Sequence, residues 1–363
     1  ADSALLGWWG CLSYEFGVRA AGLPVADDDA PLASFAFVDR GLTFATGEVT
    51  LIVLEGAPGA AGWLDRMEAR VAALPSTPPA PPPDAGARWR WRHDRAAYLE
   101  LIAACQAAIR RGDAYQLCLT NTITVGVDSP PDPVDVYRRL RELTPTAHSG
   151  VLRVGDRWLL SASPEQFLHI DRGGTARTRP MKGTRPRSAD AAADRALAAD
   201  LLASEKERAE NLMIVDLMRN DLSRVSRVGS VAVTELFGVE AFGFSHQLVS
   251  TVESVLDADP VEAVLALFPA GSMTGAPKHA AMRILGTLEA GPRGVYSGVW
   301  GRLSVDGSVD LAVVIRSIVM EGDRVRIGSG GGITAQSDPA AEWDEVVLKA
   351  RSMLLAVGAD PEG

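Results

Sequence analysis

Two segments each carry a pair of carboxylates three residues apart. Glu207 and Glu210 lie in Ser204-Glu205-Lys206-Glu207-Arg208-Ala209-Glu210-Asn211, and Glu342 and Glu345 in Ala341-Glu342-Trp343-Asp344-Glu345-Val346. On a helix, residues three apart share a face. Two such helices set against each other would bring four carboxylates together. A cluster of that kind is tolerable only around a cation, and an all-oxygen set suits Mg²⁺ or Ca²⁺. The same spacing also describes two solvated, salt-bridging faces, the commoner use of such pairs, and spacing alone does not separate the two.

Lysine is the second signal. Of 36 basic residues only Lys182, Lys206, Lys278 and Lys349 are lysines, in a chain rich in Ala, Gly, Pro and Arg. A lysine offers a compact amine that can lose its proton, which a guanidinium does not. Lys182 sits in Pro180-Met181-Lys182-Gly183-Thr184-Arg185-Pro186-Arg187, expected to be irregular, and a loop lysine is ordinarily a solvated charge. Upstream, Ser161-Ala162-Ser163-Pro164-Glu165 places a carboxylate just after an expected strand.

Three glycine-rich stretches allow close backbone approach to an anion: Pro269-Ala270-Gly271-Ser272-Met273-Thr274-Gly275-Ala276-Pro277-Lys278, Gly291-Pro292-Arg293-Gly294 and Gly328-Ser329-Gly330-Gly331-Gly332. Tight turns between strands explain each equally well. None is a phosphate-binding P-loop, because no Lys-Ser or Lys-Thr follows. Pro277 is expected at the first position of a helix. His93, His148, His169, His246 and His279 are isolated and form no metal pattern, and there is no Gly-x-Ser-x-Gly elbow. Cys11, Cys105 and Cys118 give neither a disulfide framework nor a zinc motif. Cys11 lacks the Gly-x-Cys-x-Gly context of a glutamine-hydrolysing nucleophile and is expected to be a small core residue.

The elements that must position these residues follow from periodicity. Helices are expected at 60–74, 94–111, 133–143, 189–203, 205–222, 261–268, 277–288 and 338–355. Strands are expected at 32–38, 49–54, 114–127, 151–153, 157–162 and 166–170, and β-rich stretches at 228–233, 241–255, 294–305 and 309–320. Strands come in adjacent pairs, and helices are not interleaved one for one. That favours an α+β fold with antiparallel sheets. The run Pro78-Pro79-Ala80-Pro81-Pro82-Pro83 is expected to be a stiff linker over 75–92, separating an N-terminal lobe (1–74) from the main region (93–356) and a short tail (357–363). With 363 residues, 47% hydrophobic, the composition is globular. A net charge of −10 argues against a nucleic-acid binder. No apolar run reaches the ~18 residues of a membrane span, and the first ten residues lack the basic region of a signal peptide. A reducing cytoplasm is the expected location.

Taken in order, these blocks resemble the chorismate-utilising enzymes: anthranilate, aminodeoxychorismate, isochorismate and salicylate synthases. The resemblance rests on Ser163-Pro164-Glu165, Pro180-Met181-Lys182-Gly183-Thr184, Lys206 to Met213, Val215-Asp216-Leu217-Met218-Arg219-Asn220-Asp221, Phe268-Pro269-Ala270-Gly271, Gly275-Ala276-Pro277-Lys278, Ile315-Arg316-Ser317 and Gly330-Gly331-Gly332-Ile333. Gly7-Trp8-Trp9-Gly10-Cys11-Leu12-Ser13-Tyr14-Glu15 resembles the family's first-lobe segment, which begins late here. The resemblance implies two facing, largely antiparallel sheets with helices outside. Carried over residue by residue, it implies Mg²⁺ held by Glu207, Glu210, Glu342 and Glu345 and bridging to the ring carboxylate of chorismate. It implies that Thr184 belongs to the substrate site. It also implies that Thr274, Tyr296, Arg316, Lys349 and the backbone of Gly330, Gly331 and Gly332 hold carboxylates.

Within the family, Lys182 resembles the aminodeoxychorismate synthase component I motif, where anthranilate synthases have alanine. The resemblance implies that Lys182 attacks ring C2 as the C4 hydroxyl leaves, with Glu165 as general acid, before ammonia attacks C4 and displaces the lysine. Such a lysine must first lose its proton, against an ordinary value of about 10.4. Isochorismate and salicylate synthases carry a water-activating lysine where Gln116 stands. Gln247, in Ser245-His246-Gln247-Leu248-Val249-Ser250, stands where anthranilate synthases have histidine. The segment 143–148 and Gln336 depart from the family pattern, which argues against tryptophan feedback. Nothing in the chain resembles a glutamine-hydrolysing site, so ammonia is expected from a separate glutamine amidotransferase subunit, the alternatives being a fused amidotransferase and use of ammonium salts unaided. Anthranilate synthase component I, another amino-chorismate synthase, and a non-catalytic chorismate-binding paralogue are the alternatives.

Overall fold

The computed structural model describes residues 5–25, 30–45, 47–75, 87–126, 131–242 and 245–361. Among them, two large antiparallel sheets carry the architecture. The first has the strand order Met181–Pro186, Ser245–Val255, Thr175–Thr178, Gln166–Ile170, Val309–Val313, Val299–Ser304, Gly7–Leu12, Ala33–Val38, with Ala232–Ala241 also paired to Ser245–Val255. The second runs Gly275–Ala276, Gln116–Gly126, Arg324–Ile333, Ser317–Glu321, Arg157–Ser163, His148–Val154, with Arg88–Trp91 on the far side of Gln116–Gly126. A separate hairpin joins Arg40–Ala45 to Glu48–Val53.

Side chains alternate between the faces of a strand, and here the alternation sorts two kinds of packing. Leu168, Ile170, Val252, Val309 and Leu311 of the first sheet pack against Ile214, Val215, Met218 and Leu222 of the helix Glu205–Ser223. Ile123, Val125, Leu160, Ile318 and Ile327 of the second pack against Ala350, Met353 and Leu354 of the helix Pro339–Ala356. The opposite faces meet each other: Cys11, Trp300, Ala312 and Val314 of the first sheet pack with Leu159 and, more loosely, Leu152 and Val319 of the second. The adjacent residues Leu159 and Leu160 therefore point into different cores. Each fully buried Leu or Ile contributes about 1.5–3 kcal/mol. The result is two facing sheets with helices outside.

Four expectations need correction. The β-rich stretch 309–320 is two strands, Val309–Val313 in the first sheet and Ser317–Glu321 in the second. The chain crosses at residues 314–316, where Arg316 takes φ 50°, a conformation that breaks an extended run. The segment around Lys182 is not irregular: Met181–Pro186 is a strand paired with Ser245–Val255, its register shifted between Lys182 and Thr184. Pro277 caps the helix Lys278–Leu288 rather than opening it. Residues 88–91, within the expected linker, form a sheet strand, while residues 76–86 lie outside the described residues. The expected N-terminal lobe supplies Gly7–Leu12 to the first sheet, between Val299–Ser304 and Ala33–Val38. No helix among the described residues is long and apolar enough to cross a membrane.

Candidate active site

The four glutamates sit near the starts of two helices. Glu205–Ser223 opens at Ser204, whose hydroxyl accepts the Glu207 N–H at 3.4 Å, and Pro339–Ala356 opens at Asp338, which accepts from Ala341 N–H. Glu207 and Glu342 lie in the first turns, where the helix dipole favours negative charge. Lys206 Nζ lies 3.9 Å from both Glu210 and Glu342 and so links the two helices. Arg185 reaches Glu207 at 3.5 Å, Lys349 holds Glu345 at 2.7 Å, and the Ser337 hydroxyl donates to Glu342 at 2.7 Å.

The electrostatics match that crowding. Burial pushes the Glu210 carboxyl up to about 7, and the charges of Glu207 and Glu342 add to the shift against Lys182 and Lys206. Burial also raises Glu342, aided by Glu345. Glu345 is lowered by Lys349. Among the described residues no three such side chains close on one point; the bridging charge is the Lys206 ammonium. In chemistry the set, all oxygen and mutually repelling, fits a hard divalent cation.

Lys182 stands on the facing strand. The next residue, Gly183, has φ 83°, and a Cβ there would lie 2.9 Å from Glu207 Oε2. Only glycine lets this strand turn and pass the helix so closely. A Cβ on Gly332 would lie 2.2 Å from Gln116 Nε2 and 3.5 Å from Lys182 Nζ, which places lysine, amide and glycine strand in one small volume. Burial pulls the Lys182 value down, but Cys118, Glu210, Glu165 and Glu345 together outweigh it and hold the amine above its ordinary value. Glu165 is buried, and desolvation raises its carboxyl despite Ser272, Lys182 and Lys349. It lines a small pocket with Thr178, Pro180, Ala270, Gly271 and Ser272.

The glycine strand is not a turn. Gly328, Gly330, Gly331 and Gly332 all lie in Arg324–Ile333, and none has positive φ. They are glycine because of what they face. A Cβ on Gly328 would enter the Tyr296 ring at 2.1 Å, and one on Gly331 would stand 3.2 Å from Glu342 Oε2. Beyond Ile327 this strand has a sheet partner on one side only, Gln116–Gly126, which leaves its other backbone edge open. Lys349 already donates to Gly330 O there at 2.9 Å. Tyr296 is buried, and Arg316 carries a guanidinium whose value burial lowers while Tyr296 and Glu345 raise it. Thr274 is fully buried and its hydroxyl folds back on Ala270 O and Gly271 O. Thr184 is exposed and donates to Gln247 at 3.2 Å.

Sequence reasoning named Gln116 only as the position of another enzyme's lysine, and it left Ser337 and the Glu289–Arg293 pair out altogether. Gln116 is buried, and its Oε1 has no hydrogen-bond partner among the described residues. Ser337 holds Glu342, and the buried Glu289 and Arg293 brace the strands beneath. Neither Ser337 nor the brace has a signature in spacing. Of the four lysines, Lys278 is structural: it donates to Asp221 at 2.6 Å and to Leu267 O at 2.7 Å. The three thiols are buried; burial pushes Cys11 up to about 11 and Cys105 up to about 12, so neither is a poised nucleophile.

Comparison with known proteins agrees with this geometry. Residues 1–355 match the family model described as chorismate binding enzyme. The chain is 45% identical to an aminodeoxychorismate synthase of Streptomyces griseus over 96% of its own length, and it spans 50% of that relative. It is 37% identical to anthranilate synthase component 1 of Streptomyces coelicolor, covering 96% of this chain and 72% of that one. The crystal structure of anthranilate synthase component I from Streptococcus pneumoniae superposes with TM-score 0.85 at 29% identity, covering 97% of this chain and 81% of that one. Sheets, motifs and matches converge on one conclusion: the chain belongs to the chorismate-binding enzymes.

Proposed function

We propose that this chain is the chorismate-aminating part of an aminodeoxychorismate synthase, converting chorismate and ammonia to 4-amino-4-deoxychorismate and water. The observation that carries the reading is the placement of Lys182, on a strand facing the glutamates, with its amine beside Gln116 and Gly332. The 45% identity to an aminodeoxychorismate synthase supports it.

In this reading the Lys182 amine, once deprotonated, attacks ring C2 while the C4 hydroxyl departs with a proton from Glu165. Ammonia then attacks C4, the ring double bond shifts back, and the C2–nitrogen bond to lysine breaks. Glu165 suits an acid because burial favours its protonated form. Glu207, Glu210, Glu342 and Glu345 would hold Mg²⁺, whose charge would anchor the ring carboxylate and offset the carboxylate field that keeps Lys182 protonated. Arg316, Tyr296, Thr274, Lys349 and the open edge of Gly330 to Gly332 would orient the substrate, with Thr184 at the rim. Ammonia would come from a glutamine-hydrolysing site other than these three cysteines, whose thiols burial holds in the neutral form.

The test is to incubate the chain with chorismate, Mg²⁺ and ammonium and identify the product by mass and NMR. The expected product is aminated at C4, lost in Lys182→Ala and not rescued by Lys182→Arg, whose guanidinium stays protonated. Anthranilate as product, or an unimpaired Lys182→Ala variant, would overturn the reading.

A further inference from the structure

Glu342 is held differently from the other three glutamates. Arg185 reaches Glu207, Lys349 holds Glu345 and Lys206 stands by Glu210, so each of those has a cation as its near partner. Glu342 also has Lys206, at 3.9 Å, but its short contact is neutral: the Ser337 hydroxyl donates to its Oε1 at 2.7 Å. An ammonium that close would cancel much of the carboxylate charge. A hydroxyl fixes the orientation of the carboxylate and leaves its charge for a cation. Both residues are buried, so bulk water does not compete for the bond.

Ser337 is itself held on three sides. Its Oγ accepts from Thr334 N–H at 3.1 Å, and its own N–H donates to Thr334 O at 3.3 Å. Its carbonyl accepts from Gln106 Nε2 at 2.7 Å. Gln106 is buried on the helix Arg95–Arg110, and Arg110 donates to its Oε1 at 3.4 Å, which turns the amide nitrogen toward Ser337. With its oxygen accepting from Thr334, the hydroxyl has its one proton for Glu342. Ser337 also directly precedes Asp338, the cap of the helix bearing Glu342 and Glu345. Turn, cap and carboxylate are thus fixed together. With Oε1 pinned, Oε2 is the oxygen turned toward the glycine strand, where a Cβ on Gly331 would stand 3.2 Å from it.

We propose that Ser337 is a positioning residue of the glutamate site, whose hydroxyl sets Glu342 with one oxygen facing the glycine strand before a divalent cation arrives. The inference rests on the reading that the four glutamates hold Mg²⁺. Calorimetric titration of the chain with Mg²⁺ alone, well below the melting range, tests it. Groups that orient a metal ligand are worth about 10–100-fold in affinity, so Ser337→Ala should weaken binding by about tenfold or more. Ser337→Cys keeps the size but donates poorly, and should weaken binding about as much. Ser223→Ala, which removes an exposed hydroxyl from the far end of the helix Glu205–Ser223, should leave it unchanged. In assays with chorismate and ammonium, Ser337→Ala should raise the Mg²⁺ concentration for half-maximal turnover by a similar factor. Turnover at saturating Mg²⁺ should be largely recovered, whereas a merely structural defect would lower it at every Mg²⁺ concentration. Wild-type affinity in Ser337→Ala or in Ser337→Cys would overturn the proposal and leave the metal reading standing. Absence of Mg²⁺ binding by the wild-type chain would overturn both.

Discussion

Arg293 grips both carboxylate oxygens of Glu289, four residues earlier at the end of the helix Lys278–Leu288, at 2.7 Å each, and both residues are buried. The same guanidinium donates to Met273 O and Cys118 O and lies 4.1 Å from the centre of the Tyr14 ring. Glu289 in turn accepts from Thr120 N–H at 2.8 Å, and the Arg293 N–H donates to Glu15 at 2.7 Å. One ion pair therefore ties the N-terminal segment, the strand Gln116–Gly126 and the short helix bearing Thr274. Breaking a buried pair from one side strands a charge, so Glu289→Gln or Arg293→Met should cost about 3–5 kcal/mol. The double substitution Glu289→Leu, Arg293→Met should cost less than the sum of the singles. Urea denaturation measures this, and losses under about 1 kcal/mol would show that the pair is not the brace described.

The two glycines nearest Lys182 should fail differently. Gly183→Ala adds a Cβ at positive φ and 2.9 Å from Glu207. It should lower stability by about 1–3 kcal/mol as well as activity. Gly332→Ala has no backbone strain, and its Cβ meets the tip of Gln116 and the Lys182 amine. Turnover should drop sharply with less than about 1 kcal/mol of stability lost. Parallel melting curves and chorismate assays separate the two; an active Gly332→Ala variant would contradict the placement of Lys182.

Removing divalent cations should silence the enzyme. EDTA should abolish turnover and Mg²⁺ restore it, and Glu207→Gln or Glu345→Gln should eliminate turnover while the chain stays folded by circular dichroism. Mg²⁺ should also raise the thermal midpoint of the wild type, because ligand bound only by the native state stabilises it. Full activity in excess chelator would remove the metal from the mechanism.

Acid should release a clamp on the edge of the first sheet. Asp194 accepts from Arg187, from Ser188 N–H and at 3.0 Å from His246 Nε2, and chiefly the Arg187 hydrogen bond holds its carboxyl well below the usual range. A depressed folded value means the unfolded chain binds more protons, so the stabilisation is present above the unfolded value near 3.9 and fades as pH falls below it. Asp194→Asn should therefore destabilise at neutral pH and converge with the wild type in strong acid. A difference independent of pH would show that the carboxylate charge is not the cause.

Much of this was legible in the residues. Helical periodicity placed the helices of Glu207 and Glu342 to within two residues, because amphipathic spacing and caps are local properties. The ordered motifs then identified the family. Strand assignments failed where the cause was distant. Nothing local to Val309–Val313 and Ser317–Glu321 announces that consecutive strands enter different sheets; the turn depends on Arg316 at φ 50°. Lys182 looked irregular because Pro and Gly flank it, yet pairing with Ser245–Val255 overrides that preference. The Glu289–Arg293 brace and the unpaired edge of the glycine strand arise only from tertiary contact.

The strand bearing Gly330, Gly331 and Gly332 presents bare backbone to the site. A wall without side chains cannot be rewritten by ordinary substitution, since any larger residue meets Gln116, Glu342 or the neighbouring strand. New chemistry on this scaffold has to be composed on the side chains around that wall, at positions such as Gln116 on the neighbouring strand and Lys182. In the proposed reaction the glycine wall would fix where the ring lies, and the side chains around it would decide what attacks.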